Sequence, residues 1–547
     1  MTTDKDLNAT SYDKFKAKFE STLSKLDCNR VTDPFYIIKG LPEGLKQSSS
    51  PVYLAGGMPH ESMFPFKHVS VKYREAPGSL GKLEESTVTE EESYNSYDIP
   101  LYSEAEVKNK QSDIARAFQY SENTGLESLR EFTRQIIKKV NTPVYDNWDV
   151  LITSGSSDSL SKVCDLFVDE DTTVLCEEFT FVNICSHVSY AQGSCVPVKL
   201  EVSDDPKSQG IDTAYLSDLL ENWSTYYPEK KKKLVLYTIA TGQNPTGVTQ
   251  SLEKRKEIYD ICCKHNVMIL EDDPYGYLQL PKYNAEDPLK NPYQDKTITL
   301  DVFCSELLKP SYMTIDTEGR VLRLETFSKV GSPGLRLGFI AANTYLIDRL
   351  SNISFMTSRN ASGISQSITN NLLLELGTRY QKEVDSKASL IDGWFNWCMK
   401  IAGEYTHRRN VLFKAIHETE ACKKGYFQLL EPSCGMFATI VVNLKPEWID
   451  SEDKTKRKDQ IKRVMDYLLC CLLETGCLPI LGYKMTICRD FSMDRANFLR
   501  ITFAKAESAE IFEQGAKNMS AAFERLNEEY MTEKELWDLP ATGLVGM

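Results

Sequence analysis

LETFSKVGSPGLRLGFI, residues 324–340, sets a lysine and an arginine on either side of a Ser-Pro-Gly turn and brackets both with apolar runs that read as strands. A lysine there is either surface decoration or a reactive amine beside an anion site, and the flanking sequence must decide. Outward from this stretch the same pattern recurs. VMILE (267–271), LVLYTIA (234–240), TTVLCEE (172–178) and DVLIT (149–153) are short apolar runs bounded by polar residues. Between them lie helical patterns such as SLEKRKEIYDICCKH (251–265), where Leu252, Ile258 and Cys262 share one face, and DSLSKVCDLFV (158–168). Strands that are apolar throughout and alternate with helices predict an α/β fold, with a mostly parallel central sheet covered by helices on both faces. Past about residue 380 longer helices with scattered strands (MFATIVVNL, FLRITFA) predict a smaller α+β domain. The expected organisation is an N-terminal arm over 1–50, the N-terminal part of the small domain and an acidic surface loop over 51–112, a large domain over 113–380, and a C-terminal small domain over 381–547.

At 547 residues the chain is long enough for two packed domains. A net charge of −14 argues against nucleic acid or an acidic membrane surface as a partner. The run Lys230–Lys233 is the local exception, and it reads as the solvated entry to a strand. No apolar run approaches a bilayer span, and the first 20 residues mix acids with bases and lack an apolar stretch. Fifteen cysteines without a CxxC pair read as reduced thiols of a cytoplasmic protein, and six histidines without zinc spacing argue against a metal site. Residues 84–112, including EESTVTEEESYNSYD, are weakly patterned and read as a long surface loop.

In an open α/β sheet, ligands bind at the carboxyl ends of the strands. ITSGSSDSL puts Gly155, Ser156 and Ser157 between a strand and a helix start, either as a simple helix cap or as an anion seat. TGQNPTG (241–247) has turn chemistry, yet Asn244 also offers an amide to a ligand. ILEDDPYGYL ends a strand with Asp272, Asp273 and Tyr275, so that an acid can hold a protonated ring nitrogen while the phenol reaches a neighbouring oxygen. Lys329 reaches the same edge, where desolvation and a nearby charge would free its amine for a Schiff base. Arg336 supplies that charge and an anion clamp, and Thr326 and Ser328 add hydroxyls. Taken together, these groups describe a pocket for pyridoxal 5′-phosphate.

These motifs, with YLAGGMPHESMFPF (53–66), FQYSENTGLESLREF (118–132) and NFLRITFA (497–504), resemble the signatures of class I, fold type I, pyridoxal-phosphate aminotransferases. Within that family the chain is most similar to the branch of fungal aromatic amino acid aminotransferases and kynurenine/α-aminoadipate aminotransferase. The resemblance implies that Lys329 forms the Schiff base and moves the substrate proton, that Asp272 pairs with the ring nitrogen, and that Tyr275 and Asn244 bind the ring oxygen. It implies a phosphate held by Ser156, Ser157, Thr326 and Arg336, and Phe181 stacked on the ring in place of the usual tyrosine. Tyr120 would reach the phosphate of a partner subunit, which implies a homodimer with shared sites. Arg500 would take the substrate α-carboxylate, with Asn244 and Gly57 beside it.

The implied reaction is ping-pong transamination of tyrosine, phenylalanine or tryptophan, with 2-oxoglutarate or an aromatic 2-oxo acid as acceptor. A preference for α-aminoadipate or kynurenine is the alternative. A catalytically silent regulator with an aminotransferase-like domain is a second alternative, against which the complete lysine, aspartate and arginine set argues. Tyr53, Met58 and Phe64 are candidates for an apolar wall over the substrate, or for plain core packing.

Overall fold

The computed structural model describes residues 11–30, 44–46, 48–50, 52, 54, 57–80, 94–104 and 110–533. In chain order the strands are β1 (His68–Tyr73), β2 (Asn95–Pro100), β3 (Trp148–Thr153), β4 (Thr172–Glu177) and β5 (Ser194–Val198). There follow the short ribbon β6 (Leu200–Glu201) and β7 (Gly210–Ile211), then β8 (Lys233–Thr238), β9 (Met268–Asp273), β10 (Val321–Thr326) and β11 (Gly338–Asn343). Last come β12 (Phe427–Leu430), β13 (Phe437–Val442), β14 (Ile480–Leu481) and β15 (Phe498–Thr502).

Seven of these form the central sheet in the order β3-β11-β10-β9-β8-β4-β5, and β11 alone runs against its neighbours. Every residue of β4, β9, β10 and β11 is buried, which is why these runs show no polar alternation. The helices Glu127–Val140, Ser156–Phe167 and Thr344–Met356 pack on the sheet. The parallel arrangement brings the carboxyl ends of β3, β4, β8, β9 and β10 to one edge. Because β11 is reversed, its amino end arrives there too, immediately after Arg336.

The helix Leu252–Lys264 is capped by Ser251, whose side chain accepts from the Lys254 amide, and it buries Ile258 and Cys262 as the spacing predicts, whereas Leu252 in its first turn is only half-buried. It also buries Arg255, which the apolar pattern does not reveal. That guanidinium donates to the Ala240 carbonyl at 3.0 Å and the Thr241 hydroxyl at 2.6 Å, fastening the loop after β8.

The second sheet is antiparallel, in the order β12-β13-β15-β14. It faces the loop at 241–247 directly: a Cβ on Gly247, at φ +74°, would lie 2.7 Å from the Phe437 carbonyl, and the Thr439 hydroxyl donates to the Thr246 carbonyl at 2.8 Å. The long helix Leu390–His417 runs between the two sheets, with the Trp397 indole donating to the Val330 carbonyl at 2.6 Å and Tyr405 packed on Phe503.

One expectation needs correction. The 84–112 stretch is not simply a loop, because Asn95–Pro100 pairs antiparallel with His68–Tyr73 as β2. Ile99 is fully buried and the Tyr97 hydroxyl donates to the Ile368 carbonyl at 2.7 Å. An isolated Tyr-x-Ile alternation in an acidic context is too short to register as a strand from sequence. Residues 84–93 lie outside the described residues. Among the described residues no helix is long and apolar enough to cross a membrane.

Candidate active site

At the shared strand edge lies a cavity of about 180 Å³. Lys329, Asp272, Tyr275 and Phe181 line it, as do Arg336 and the serine pair Ser156 and Ser157. Stretches up to 180 residues apart in the chain thus meet in one pocket, each delivered by the end of its own strand. A larger cavity of about 720 Å³ between β15 and the helix Ala509–Glu533 is lined mainly by aliphatic groups. Of the residues singled out from sequence only Arg500 touches it, so size does not mark the reactive site.

The anion seat is built from a turn and a helix. Gly155 precedes the helix Ser156–Phe167 at φ +88°, leaving the first amides and both serine hydroxyls at the cavity. Arg336, itself in the left-handed region at φ +50°, lies against the bare face of Gly155 and donates to the carbonyls of Pro333 and Ser154. A Cβ on Gly155 would stand 2.7 Å from Arg336 Nη2. Gly155→Ala is therefore expected to weaken binding of a phosphate-bearing ligand by about tenfold or more, since the left-handed strain alone costs about 1–3 kcal/mol; an equilibrium titration measures it.

Lys329 has no hydrogen-bond or carboxylate partner among the described residues, and neither Arg336 nor Arg500 has a carboxylate partner there. Burial, and then the Arg336 charge, lower the Lys329 ammonium below the ordinary lysine value. This is the environment that frees a nucleophilic amine.

Asp272 and Asp273 are adjacent but separate in role. Asp273 points away, pairing with the buried Arg323 at 2.5 Å and accepting from the Gly276 amide at 2.7 Å. Asp272 lines the cavity, accepts from the Tyr237 phenol at 2.7 Å on Oδ2, and has no partner among the described residues for Oδ1. Burial, with the neighbouring Asp273 charge adding to it, pushes its carboxyl up to about 7 against the pull of the Tyr237 bond and the Arg323 charge. A protonated ring nitrogen would supply a facing cation. Tyr237 was not foreseen; a phenol inside the apolar run LVLYTIA is the signal that could have found it.

Phe181 covers the cavity from the segment after β4. That segment is tethered by the buried Glu178, which takes the Arg495 guanidinium at 2.7 Å, and by the Phe179–Thr486 bridge. Ile239, also unforeseen, contributes to the lining. Burial, followed by the Asp272 charge, raises the Tyr275 phenol, so it remains a donor at neutral pH.

Asn244 is buried just beyond this lining, and its Oδ1 accepts from Arg500 Nη1 at 2.7 Å. Arg500 lies over the Phe437 ring, 4.4 Å from its centroid. Thr326 does not line the cavity: its hydroxyl donates to the Leu337 carbonyl and accepts from the Ser328 backbone N–H, and it is Ser328 that lines the pocket. Tyr120 is 64% exposed, with Arg359 over its ring, and lies away from this chain's cavity. Gly57 and Met58 are exposed and, like the half-buried Phe64, do not line it; Tyr53 lies outside the described residues.

The residues present fit pyridoxal phosphate: an anion seat with an arginine that has no carboxylate partner among the described residues, a carboxylate lining the cavity with only one oxygen bonded there, a flat aromatic cover and a partly desolvated amine. The family described as aminotransferase class I and II matches residues 93–513. Aromatic amino acid aminotransferase 2 of Saccharomyces cerevisiae is 37% identical, over 95% of this chain and 98% of its own length. An L-tyrosine:2-oxoglutarate aminotransferase of Serpula lacrymans is 30% identical over 67% of this chain and 66% of its own. The crystal structure of the aromatic aminotransferase Aro9 from C. albicans superposes with a TM-score of 0.79 at 36% identity, covering 94% of this chain and 99% of that one.

Proposed function

Because the chain belongs to the class I and II aminotransferases, an enzyme family of fold type I that uses pyridoxal phosphate, we propose that it transaminates tyrosine, phenylalanine and tryptophan, with 2-oxoglutarate or an aromatic 2-oxo acid as acceptor. The observation that carries the chemistry is one cavity holding a half-buried Lys329 amine without a partner among the described residues, an anion seat at Ser156, Ser157 and Arg336, and the half-satisfied carboxylate of Asp272. The substrate class rests on the names of relatives that match nearly the whole chain.

When bound, the cofactor supplies an aldehyde that exchanges between amines and a protonated ring that draws off electrons. Arg336 and the serine pair would hold its phosphate. Asp272, oriented by Tyr237, would keep the ring nitrogen protonated. Phe181 and Ile239 would wall the ring. Tyr275 and Asn244 would donate to the ring oxygen, while the Asn244 carbonyl oxygen braces Arg500. Arg500 binds the α-carboxylate of each substrate as a planar fork. Lys329 Nζ, unprotonated more readily than an exposed lysine, would take the proton from the amino acid Cα and give it up to the former aldehyde carbon of the cofactor. The cycle then runs in reverse with the oxo acid, giving ping-pong kinetics.

A homodimer is part of this reading. Tyr120 is exposed beside other exposed apolar side chains, Met58, Met63, Phe66 and Tyr102, a surface suited to burial by a second copy. Tyr120 of each chain would then complete the phosphate seat of the other.

Arg500→Gln is expected to raise KM for amino and oxo acids alike by about 100-fold, since losing one partner of a hydrogen-bonded charge pair costs about 2–5 kcal/mol. Initial rates across both substrates measure it. The substrate class is tested by stoichiometric oxo acid release from a donor series. Highest kcat/KM for the aromatic donors is the expected result. Preference for α-aminoadipate or kynurenine would overturn the aromatic assignment alone, and ammonia or carbon dioxide in place of oxo acid would overturn transamination.

A further inference from the structure

The buried carboxylate of Glu177 takes no part in the chemistry above, yet it sits directly behind the slot. It closes β4, is fully buried, and has no cationic partner among the described residues. Its Oε1 accepts from the Thr238 hydroxyl at 2.6 Å and the Gln250 amide at 3.5 Å. Its Oε2 accepts from the Gln243 amide at 2.9 Å and the Ile239 backbone N–H at 3.4 Å. The surroundings are donors throughout, so only a group that accepts on both oxygens satisfies them.

Each donor belongs to a piece of the cavity wall. Ile239 is part of the lining. Gln243 also donates to the Phe179 carbonyl at 2.6 Å, two residues before Phe181. Gln243 Oε1 in turn accepts from the backbone and hydroxyl of Thr246, at 2.9 and 2.6 Å. Those bonds flank Asn244 on both sides. Gln250 is oriented by the Tyr312 hydroxyl at 2.6 Å and donates to Thr238 at 3.0 Å. A buried anion without a cation is expensive, and burial pushes this carboxyl up to about 7 even with the Thr238 and Gln243 bonds pulling it down. A neutral side chain would serve packing alone at less cost.

We propose that Glu177 is a positioning residue of the reaction: it ties the segment bearing Phe181, the strand end bearing Ile239 and the loop bearing Asn244 into one frame, and so fixes the slot and the Asn244–Arg500 contact. The proposal rests on reading the cavity as the cofactor and substrate site. An isosteric amide at this position turns an NH₂ toward donors and breaks the frame while leaving its volume unchanged.

The experiment compares holoenzymes of wild type and Glu177→Gln, with rates normalised to the cofactor-loaded fraction. Glu177→Gln is expected to load cofactor and to lose about 10–100-fold in kcat/KM, the range that outer hydrogen-bond partners contribute at metal sites. That loss should include a raised KM for both substrates, transmitted through Asn244 to Arg500. Normalised kcat/KM within twofold of wild type in Glu177→Gln overturns the proposal, as does a loss confined to melting temperature or cofactor content. Wild-type protein that loads no cofactor would instead overturn the reading of the cavity, and this proposal with it.

Discussion

Lys329→Ala is expected to lower kcat by about 10⁴-fold, the upper end of what a positioned proton-transfer group contributes. Two functions disappear together. The amine that exchanges with the substrate nitrogen is lost, and so is the base that reaches the amino acid Cα. Folding should be nearly unaffected, because Lys329 makes no hydrogen bond or ion pair among the described residues and is itself held in an environment that disfavours its charge. Lys329→Arg is expected to fall equally far. It preserves the positive charge, but a guanidinium does not deprotonate at working pH. A small exogenous amine should restore part of the alanine variant's rate and none of the arginine variant's, because only alanine leaves room for it. Single-turnover rates with and without methylamine measure both.

Asp272→Asn has the second largest expected effect, a loss of about 3–5 kcal/mol of ring stabilisation, or roughly a thousandfold in rate, typical of removing one partner of a buried ion pair. Asparagine keeps the shape and the Tyr237 contact but cannot keep a ring nitrogen protonated. In cofactor-free protein the stability effect runs the other way. The folded-state pKa of Asp272 is raised to about 7, so between the unfolded value, about 4, and 7 the folded chain holds a proton that the unfolded chain has released. Stability from this group is therefore lost as pH rises through that window. Cofactor-free Asp272→Asn is expected to melt higher than wild type at pH 8, with the difference vanishing near pH 4. Loading the cofactor should remove the advantage. Thermal melts of both forms across that range are the check.

Much of the site was readable before any coordinates because each element announces its end. An apolar run stopping at Asp272 or just before Lys329 places that residue at the sheet's carboxyl edge whatever the strand order. The supporting groups were not readable for the same reason. Tyr237 and Glu177 lie inside runs that look like ordinary buried strand, and nothing local says that one bonds Asp272 while the other gathers Thr238, Gln243 and Gln250. Thr326 shows the limit of counting along a chain: its hydroxyl turns back to the Leu337 carbonyl, and Ser328, two residues on, takes the cavity. The contact between Asn244 and Arg500 joins the large sheet to the small one and exists only once both have folded. The β2 strand was hidden because Ile99 is the only fully buried side chain in an otherwise polar segment. Tyr120 and Gly57 do not line the cavity of their own chain.

The central claim is that Lys329 is the amine that carries pyridoxal phosphate. The most direct measurement is borohydride reduction of the cofactor-loaded protein followed by peptide mapping. The account predicts one reduced phosphopyridoxyl adduct per chain, on Lys329, and its absence when an aromatic amino acid has first converted the cofactor to its amine form. An adduct on another lysine, or a loaded protein that reduction leaves unlabelled, would contradict it.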